Sequence, residues 1–395
     1  MSDLGQNDKG QSQGAPEGGE SGGGAIGCAE PKNPAAAGSL GSMEISTISK
    51  AGYKLLRENR VSEAVDCFAS ILRIDENNNY ALVGMGDASR KQGSCQEAAS
   101  YYRRCLEHHP GNSYALFGLA DCYKALNQYE KAIEIWEQYL THDNRNITVL
   151  TRVANAYRKV RDFKNAKAVF LKVLEMQEGN PYAIIGLGHL HYDFKEYKEA
   201  LVYWEKMMKL NPENVDIRVL TSIGNCHRKL KTFEAGVPFF EEVLRKDPGN
   251  FYAIFGLADC YRGLSQQKHA LEYWNQILEQ DPKNKVILTR AGDAYRSMGD
   301  FEKAQDYYER ALNVEFDIYA VLGLALISKV QKKYADAVTS LRRLVQQDSK
   351  NHRIFIELAD CLLKMGDRHK AVEVLEDFQR MGIRNAHVSE MLERI

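Results

Sequence analysis

Acidic or amide side chains stand three positions before basic ones at six places that follow one another at intervals of 34 or 70 residues. Three residues make up nearly one helical turn, so within a helix the two members of each pair lie on the same side. Carboxylates, amides and cations arranged in this way can bind the charged and polar groups of a ligand. The pairs are Asp87 and Arg90, Asp121 and Lys124, Asn155 and Arg158, Asn225 and Arg228, Asp259 and Arg262, and Asp293 and Arg296.

Signals for catalysis or for a metal are weak in comparison. Residues 44–395 contain no G-x-x-x-x-G-K-[ST], G-x-S-x-G or H-E-x-x-H motif. His189 and His191 are two residues apart, which in a helix directs them to different faces and suits packing better than shared ligation. None of the eight cysteines forms a C-x-x-C pair, so a reducing compartment is favoured. We predict no enzyme activity, no metal and no cofactor.

The charged pairs lie side by side only if these segments are helical. An internal repeat in the sequence predicts such helices. The phrase YALFGLADCY from Tyr114 recurs as YAIFGLADCY from Tyr252. Small residues recur every 33 to 36 positions, and another Gly or Ala stands twelve residues before each, as expected where two helices cross closely. A large apolar residue follows each small one after four positions. The small residues are Ala64, Ala98, Ala132, Ala166, Ala200, Gly236, Ala270, Ala304, Ala337 and Ala371.

Helix boundaries are also marked in the sequence. Proline at 110, 212, 248 and 282 is predicted to end the preceding helix two residues earlier. Asn closes nine of the ten repeated segments, and we predict that it caps the helix that follows. These residues are Asn78, Asn112, Asn146, Asn180, Asn214, Asn250, Asn284, Asn351 and Asn385.

The pattern resembles the tetratricopeptide repeat family, with ten tandem repeats over residues 44–385. The resemblance implies an all-α fold, in which helix–turn–helix repeats stack into a right-handed superhelix, an α-solenoid, and the first helix of each repeat lines the concave side. Residues 386–395 keep a helical spacing of apolar side chains, which predicts a C-terminal capping helix. Gly236 and Pro238, together with two extra residues before their repeat, predict a kink or an altered twist.

In this family the concave surface comes from fixed positions of the first helix. The charged pairs occupy the ninth and twelfth of these positions. Arg152 and Arg290 stand at the sixth position, and tyrosines recur at the second. The resemblance therefore implies a peptide-binding groove, in which cations meet the carboxylates of a ligand and tyrosines meet its apolar side chains. The tyrosines are Tyr80, Tyr114, Tyr182 and Tyr252.

A different interpretation gives the same residues a structural role. The carboxylates and cations would neutralise one another, with exposed pairs contributing about 0.3–0.5 kcal/mol each, and the tyrosines would pack between neighbouring first helices. The fifth position holds no Lys, so the carboxylate clamp of the family's chaperone-tail binders is not expected. The Asn ladder of its sugar-transferring enzymes is absent from the sixth position.

A second, longer period is present. The Tyr-Ala phrase starts at Tyr114, Tyr182, Tyr252 and Tyr319, so it marks every second repeat. One explanation is duplication of a two-repeat module. Another is that the two repeat types present different side chains to a ligand.

Composition limits the class of partner. The formal net charge of −1 argues against nucleic acid and anionic membranes. There is no run of about 18 apolar residues, so no transmembrane helix is expected. Residues 1–43 are rich in Gly and Ser and lack the apolar segment of a secretory signal, which predicts a disordered tail and a cytoplasmic protein.

We therefore predict a scaffold or adaptor for protein–protein interaction. It would bind an extended peptide or a partner's helix, at least partly acidic because cations recur at the twelfth position. One alternative is a structural protein that assembles into a homo-oligomer. Another is an accessory subunit that binds a glycan or nucleic acid.

Overall fold

A computed structural model of the chain describes residues 41–210 and 212–395. All regular secondary structure in these residues is α-helical. The predicted disordered tail lies outside the described residues, except that residues 41–43 belong to the first helix. The helices are α1 (Gly41–Arg57), α2 (Val61–Ile74), α3 (Asn79–Lys91), α4 (Cys95–His108), α5 (Ser113–Ala125), α6 (Tyr129–His142), α7 (Ile147–Lys159), α8 (Phe163–Met176), α9 (Pro181–Asp193), α10 (Tyr197–Leu210), α11 (Ile217–Leu230), α12 (Phe233–Lys246), α13 (Phe251–Gly263), α14 (Gln267–Gln280), α15 (Lys285–Ser297), α16 (Phe301–Val314), α17 (Ile318–Val330), α18 (Tyr334–Gln347), α19 (His352–Lys364), α20 (Arg368–Arg380) and α21 (Ala386–Arg394).

These helices form two compact units. The first ends at Ser94 and contains α1 to α3, where α1 packs on α2 and α2 packs on α3. The second runs from Cys95 to Ile395 and contains α4 to α21, each of which packs on the next helix along the chain. Such sequential packing of helix–turn–helix pairs is the architecture that the repeat predicts.

Most first helices begin at the predicted asparagines. In the second unit the side-chain oxygens of five of them accept a backbone N–H three residues later at 2.9–3.2 Å, which satisfies one of the unpaired donors of the first turn. They are Asn112, Asn146, Asn180, Asn250 and Asn284. The cap predicted at Asn214 is wrong, because the two extra residues move the start of α11 to Ile217. Asp216 caps that helix instead and accepts from the N–H of Arg218 at 2.8 Å.

The first helices end in a left-handed residue, and most of these residues are not glycine. Arg161 has a φ of 66° and Lys231 a φ of 61°. This conformation lets the next N–H return to a carbonyl five residues earlier, as Gln128 does to Tyr123 at 2.8 Å. The turn to the second helix is therefore fixed by the backbone rather than by one residue type.

The core between repeats is built from large rings that lie against glycines. Phe240, on α12, is fully buried beneath Gly224 of its own repeat and Gly256 of the next. A Cβ atom at either glycine would come closer than 3.0 Å to this ring. The same contact joins Phe170 to Gly186 and Tyr308 to Gly323. Glycine is therefore required at the sixth position of these repeats, because only a bare backbone leaves room for the ring.

The alternation of two repeat types along the sequence is explained by how their side chains pack. Where the preceding second helix carries a buried Phe or Tyr, the sixth position is glycine. Where it carries Trp136, Trp204 or Trp274, the sixth position is instead Arg152, Ser222 or Arg290. At three junctions of the first kind in the second unit, α7–α9, α11–α13 and α15–α17, consecutive first helices are in direct backbone contact. The two repeat types thus alternate in how they pack, and only one type brings an arginine to this position.

Proline inside α12 does not interrupt the helix. Pro238 is the sixth residue of α12, which continues to Lys246. Near the start of a helix a proline removes one intrahelical hydrogen bond, and the burial of Phe240 and Val243 holds the segment in place. No helix of the described residues is both long enough and apolar enough to span a membrane.

Candidate functional site

The predicted binding residues of the second unit lie on the first helices, at their second, sixth, ninth and twelfth positions. We call these positions of α5, α7, α9, α11, α13, α15, α17 and α19 the first-helix face. The pairs α7–α9, α11–α13, α15–α17 and α17–α19 are in direct backbone contact. Side chains at equivalent positions of neighbouring repeats are consequently close enough to interact.

Ion pairs between repeats are a main feature of this face. Arg152 on α7 reaches back to Asp121 on α5, and Arg290 on α15 reaches back to Asp259 on α13. In both cases an arginine at the sixth position meets a carboxylate at the ninth position of the repeat before. The guanidinium groups also lie over the rings of Phe117 and Phe255, each 4.9 Å from the ring centroid, which adds a cation–π attraction.

Three of the cations at the twelfth position contact carboxylates of the following repeat. Arg228 contacts Asp259 at 2.8 Å, and Arg158 contacts Asp193, at the end of the next first helix, at 2.5 Å. Lys329 lies between Glu357 and Asp360, 2.6 Å from each. These contacts cross from one repeat to the next and therefore help to fix the stacking of the first helices.

Some of the pairs spaced by three residues also form within a helix. Arg262 contacts Asp259 at 3.3 Å, and Arg296 contacts Asp293 at 3.3 Å. The hydroxyl of Tyr308 donates a hydrogen bond to the same Asp293 at 2.8 Å. In the first unit, Arg90 contacts Asp87 at 3.4 Å.

The amides take part in local contacts. Asn225 accepts a hydrogen bond from Arg228 at 3.2 Å. Asn155 donates to the carbonyl of Thr151, one turn earlier, at 3.0 Å. Lys124 is half-buried on α5. Mutual neutralisation thus accounts for a large share of the charges, as the structural interpretation requires.

Asp259 is the most buried charged side chain of the face. Its side chain is 3% exposed and contacts three guanidinium groups, those of Arg228, Arg262 and Arg290. Burial alone would raise the pKa of this carboxyl, but the arginines, with Arg290 the strongest, hold its pKa below the ordinary value. Asp259 is therefore ionised at neutral pH.

The tyrosines at the second position are open to solvent. Tyr114, Tyr182 and Tyr252 are 62%, 71% and 59% exposed. In the first unit Tyr80 is 45% exposed, and its carbonyl accepts a hydrogen bond from the hydroxyl of Tyr53. Such exposure does not fit tight packing between first helices, and it leaves apolar rings available to a ligand.

Several residues that contact the charged side chains of this face were not among the predicted binding residues. Phe117 and Phe255 stand at the fifth position, and their pairing with Arg152 and Arg290 was not anticipated. Asp193 and Glu357 supply carboxylates from the thirteenth and sixth positions. The sequence does contain a signal for this arrangement of ring, carboxylate and arginine, because Phe117, Asp121 and Arg152 recur together 138 residues later.

The two histidines have different surroundings. The ring of His191 is buried, stacks on Tyr203 with 5.4 Å between centroids, and has its Nδ1 atom 2.6 Å from the Glu196 carboxylate. His189 occupies the ninth position of α9 and meets Trp204 edge-on at 4.8 Å. Although part of the His189 side chain remains exposed, the surrounding protein and then the charge of Arg158 lower its pKa to about 4.

The described part of the chain was searched for side chains that could bind a metal ion. No group of three or more His, Cys, Asp or Glu side chains there could hold an ion. The cysteines at the shared repeat position, Cys122, Cys226, Cys260 and Cys361, are fully buried, as small apolar side chains would be.

Models of one protein family agree with this architecture. Models of the tetratricopeptide repeat match residues 89–150, 147–180, 253–314, 289–352 and 331–380. A tetratricopeptide repeat protein from Parabacteroides merdae is 18% identical with a TM-score of 0.49, over 62% of this chain and 96% of that one. The type IV pilus biogenesis factor PilW is 14% identical with a TM-score of 0.47, over 55% and 98%. Pseudomonas aeruginosa pilF is 16% identical with a TM-score of 0.45, over 54% and 96%. None of the curated proteins matches the sequence.

Proposed function

The chain is a member of the tetratricopeptide repeat family, and we propose that it is a non-catalytic scaffold that binds an extended peptide, or a helix of a partner protein, along the first-helix face. The observation that carries the proposal is the exposure of Tyr114, Tyr182 and Tyr252. Rings that stay in water at one recurring position contribute little to folding through burial. Exposed apolar groups that recur on one surface are typical of an interaction site.

Charged groups on the same helices support a peptide as the ligand. An extended peptide offers carbonyls, amides and side chains at regular intervals, and the first-helix face offers complementary groups once per repeat. Arg262 and Arg296 keep part of their guanidinium groups exposed. Cations of this kind favour a partner that is at least partly acidic.

The tyrosines give a cleaner test than the arginines, since the arginines also hold neighbouring repeats together. A variant with Tyr114, Tyr182 and Tyr252 changed to Ser removes three exposed rings that contribute little to the core. A matched control changes Val202 and Leu171, exposed apolar residues of second helices, to Ser. Circular dichroism and thermal melting establish that both variants remain folded.

Partner capture from native lysate then compares the two variants with the wild type. We expect the tyrosine variant to lose specific partners that the control retains. Identical partner sets for all three proteins would contradict binding at the first-helix face. Sedimentation of the purified wild type separates capture of another protein from self-assembly, because a homo-oligomer would form without any lysate component.

A further inference from the structure

Three guanidinium groups share a single carboxylate at one place on the first-helix face. Arg228 comes from α11, Arg262 from α13 and Arg290 from α15, and all three contact Asp259. Arg228 donates a second hydrogen bond to the neutral amide of Asn225. We call these three arginines with Asp259 the arginine cluster. Its formal charge is +2.

This excess distinguishes the cluster from the ion pairs of Lys329 and Arg158. Across the described residues, Asp259 is the only carboxylate in ion-pair contact with the three arginines. Lys329, by contrast, lies between two carboxylates, and Arg158 faces one. The arrangement at Asp259 is therefore not explained by mutual neutralisation.

Burial decreases from the centre of the cluster outward. The Asp259 side chain is 3% exposed, whereas those of Arg228, Arg290 and Arg262 are 19%, 29% and 41% exposed. A guanidinium has five N–H donors, and each arginine uses only one of them on Asp259 through Nη1 or Nε. Apart from the hydrogen bond from Arg228 to Asn225, the other N–H donors of these partly exposed side chains are left for a second acceptor. Asp259 holds the three cations together, against their mutual repulsion, in a position to receive it.

Aromatic rings border the cluster. The ring of Phe255 lies 4.9 Å from the guanidinium of Arg290 and 5.8 Å from that of Arg228. Phe251 stacks on Phe255 at 6.1 Å and meets Tyr252 at 5.8 Å, and both Phe251 and Tyr252 are exposed. An apolar surface thus runs directly up to the excess positive charge.

We propose that the arginine cluster is a subsite for a dianionic part of a bound peptide, followed by an apolar side chain that packs on Phe251 and Phe255. Two adjacent carboxylates or one phosphoryl group match the charge of +2, and both present the paired oxygens that guanidinium groups bind in a bidentate manner. The inference rests on the proposed function, because it specifies the chemistry of one segment of the same ligand.

The test uses fluorescently labelled synthetic peptides and the full chain. The first peptide carries Asp-Asp-Leu at its centre, the second Asn-Asn-Leu, and the third phosphoserine-Leu. Binding is measured by fluorescence anisotropy to the wild type and to R262Q/R290Q, which keeps Asp259 paired with Arg228. The control variant is R245Q/R310Q, which removes two exposed arginines of second helices. Melting curves establish that both variants fold.

We expect the Asp-Asp or the phosphoserine peptide to bind the wild type and R245Q/R310Q equally. R262Q/R290Q should bind it at least tenfold more weakly, a change of about 1.4 kcal/mol, and the Asn-Asn peptide should be weak for all three proteins. The tighter of the two anionic peptides identifies the natural source of the charge. The apolar part is checked with Phe251→Ser, which should weaken the Leu-containing peptides and leave a Gly-substituted version unchanged.

Three results would overturn the inference. They are equal binding of the tighter anionic peptide to wild type and R262Q/R290Q, binding of the Asn-Asn peptide to the wild type as tight as that of this anionic peptide, and no binding of either anionic peptide to the wild type. None of them decides the proposed function, which depends on the tyrosine variant and its captured partners. If the tyrosine variant loses partners but R262Q/R290Q binds the anionic peptides as the wild type does, the proposed scaffold function stands and the anionic subsite is refuted.

Discussion

Replacing Asp259 with Asn is expected to destabilise the fold and to strengthen anion binding at once. The substitution keeps the shape of the side chain but removes the only negative charge among three guanidinium groups. Loss of one partner of a buried ion pair costs about 3–5 kcal/mol. Because the three arginines are each partly exposed, water compensates some of this loss, and we expect about 2–3 kcal/mol. The cluster charge rises from +2 to +3, so the affinity for the Asp-Asp peptide should increase.

Denaturation with urea, followed by circular dichroism at neutral pH, measures the loss of stability. Hydrogen exchange at the amides of α13 and α19 then locates it, since local opening should increase at α13 and remain unchanged at α19. A second variant, D259N/R290Q, should recover part of the loss because one unpaired cation has been removed. Equal stability of D259N and wild type, or no recovery in the double variant, would refute the reasoning.

The pH dependence of this effect has a definite sign. The folded-state pKa of Asp259 lies below its ordinary value, so its stabilising contribution is fully present above the unfolded-state pKa of about 3.9. The contribution is lost as the pH falls from there through the lowered folded-state pKa. The stability difference between wild type and D259N should therefore be constant from about pH 5 to 8 and shrink only below about pH 4. A difference that changed near neutral pH would point to another titrating group.

Three further changes test the packing, the caps and the thiols. Gly186→Ala places a methyl group against the phenyl ring beneath it and should cost about 1–3 kcal/mol in a urea titration. Asn146→Ala removes a capping hydrogen bond and should cost about 1 kcal/mol, whereas Asn351→Ala should cost less, because Asn351 makes no such bond. Burial raises the pKa of Cys226 to about 12, so its thiol should react with a disulfide reagent at pH 8 only on the timescale of unfolding.

Matched measurements accompany these changes. Gly249→Ala is the control for the packing variant, since that glycine lies in a loop where an added methyl meets only a carboxylate oxygen at 4.0 Å. Equal effects of the two glycine substitutions would contradict the contact with the ring. Equal effects of the two asparagine substitutions would show that the caps contribute through something other than the hydrogen bond. For the thiols, half-buried Cys67 and Cys95 should react before Cys226, and a faster reaction of Cys226 would contradict its burial.

Much of the fold follows from local rules that the sequence displays. Small residues at two crossing points, a large residue on one helical face and Asn before most first helices predict where helices lie and how they pair. The four prolines end helices at His108, Leu210, Lys246 and Gln280, two residues earlier as predicted. The rule for caps is wrong at Asn214 because a cap depends on the loop geometry, and the two inserted residues change that geometry.

The contacts of the first-helix face were only partly predictable. Spacing within one helix correctly places Asp259 beside Arg262, but it carries no information on the distance between helices. The contacts of Asp259 with Arg228 and Arg290 arise because three first helices come together, which is a property of the stacked repeats. The contacts of Phe255 with Arg228 and Arg290 were not predicted for the same reason. An apolar residue at the fifth position indicates only a core residue.

The contact of a buried ring with the glycine of the next repeat makes the length of this protein adjustable. Each such contact involves only adjacent repeats, so a segment that begins and ends at the same point of the pattern can be added or removed without altering the contacts elsewhere. Residues 113–250 are a segment of this kind. Without them Asn112 would precede α13, and the ring of Tyr102 would lie under Gly256 as it now lies under Gly118. Whole pairs of repeats are thus the steps by which such a chain can lengthen or shorten during evolution while its remaining surface stays the same.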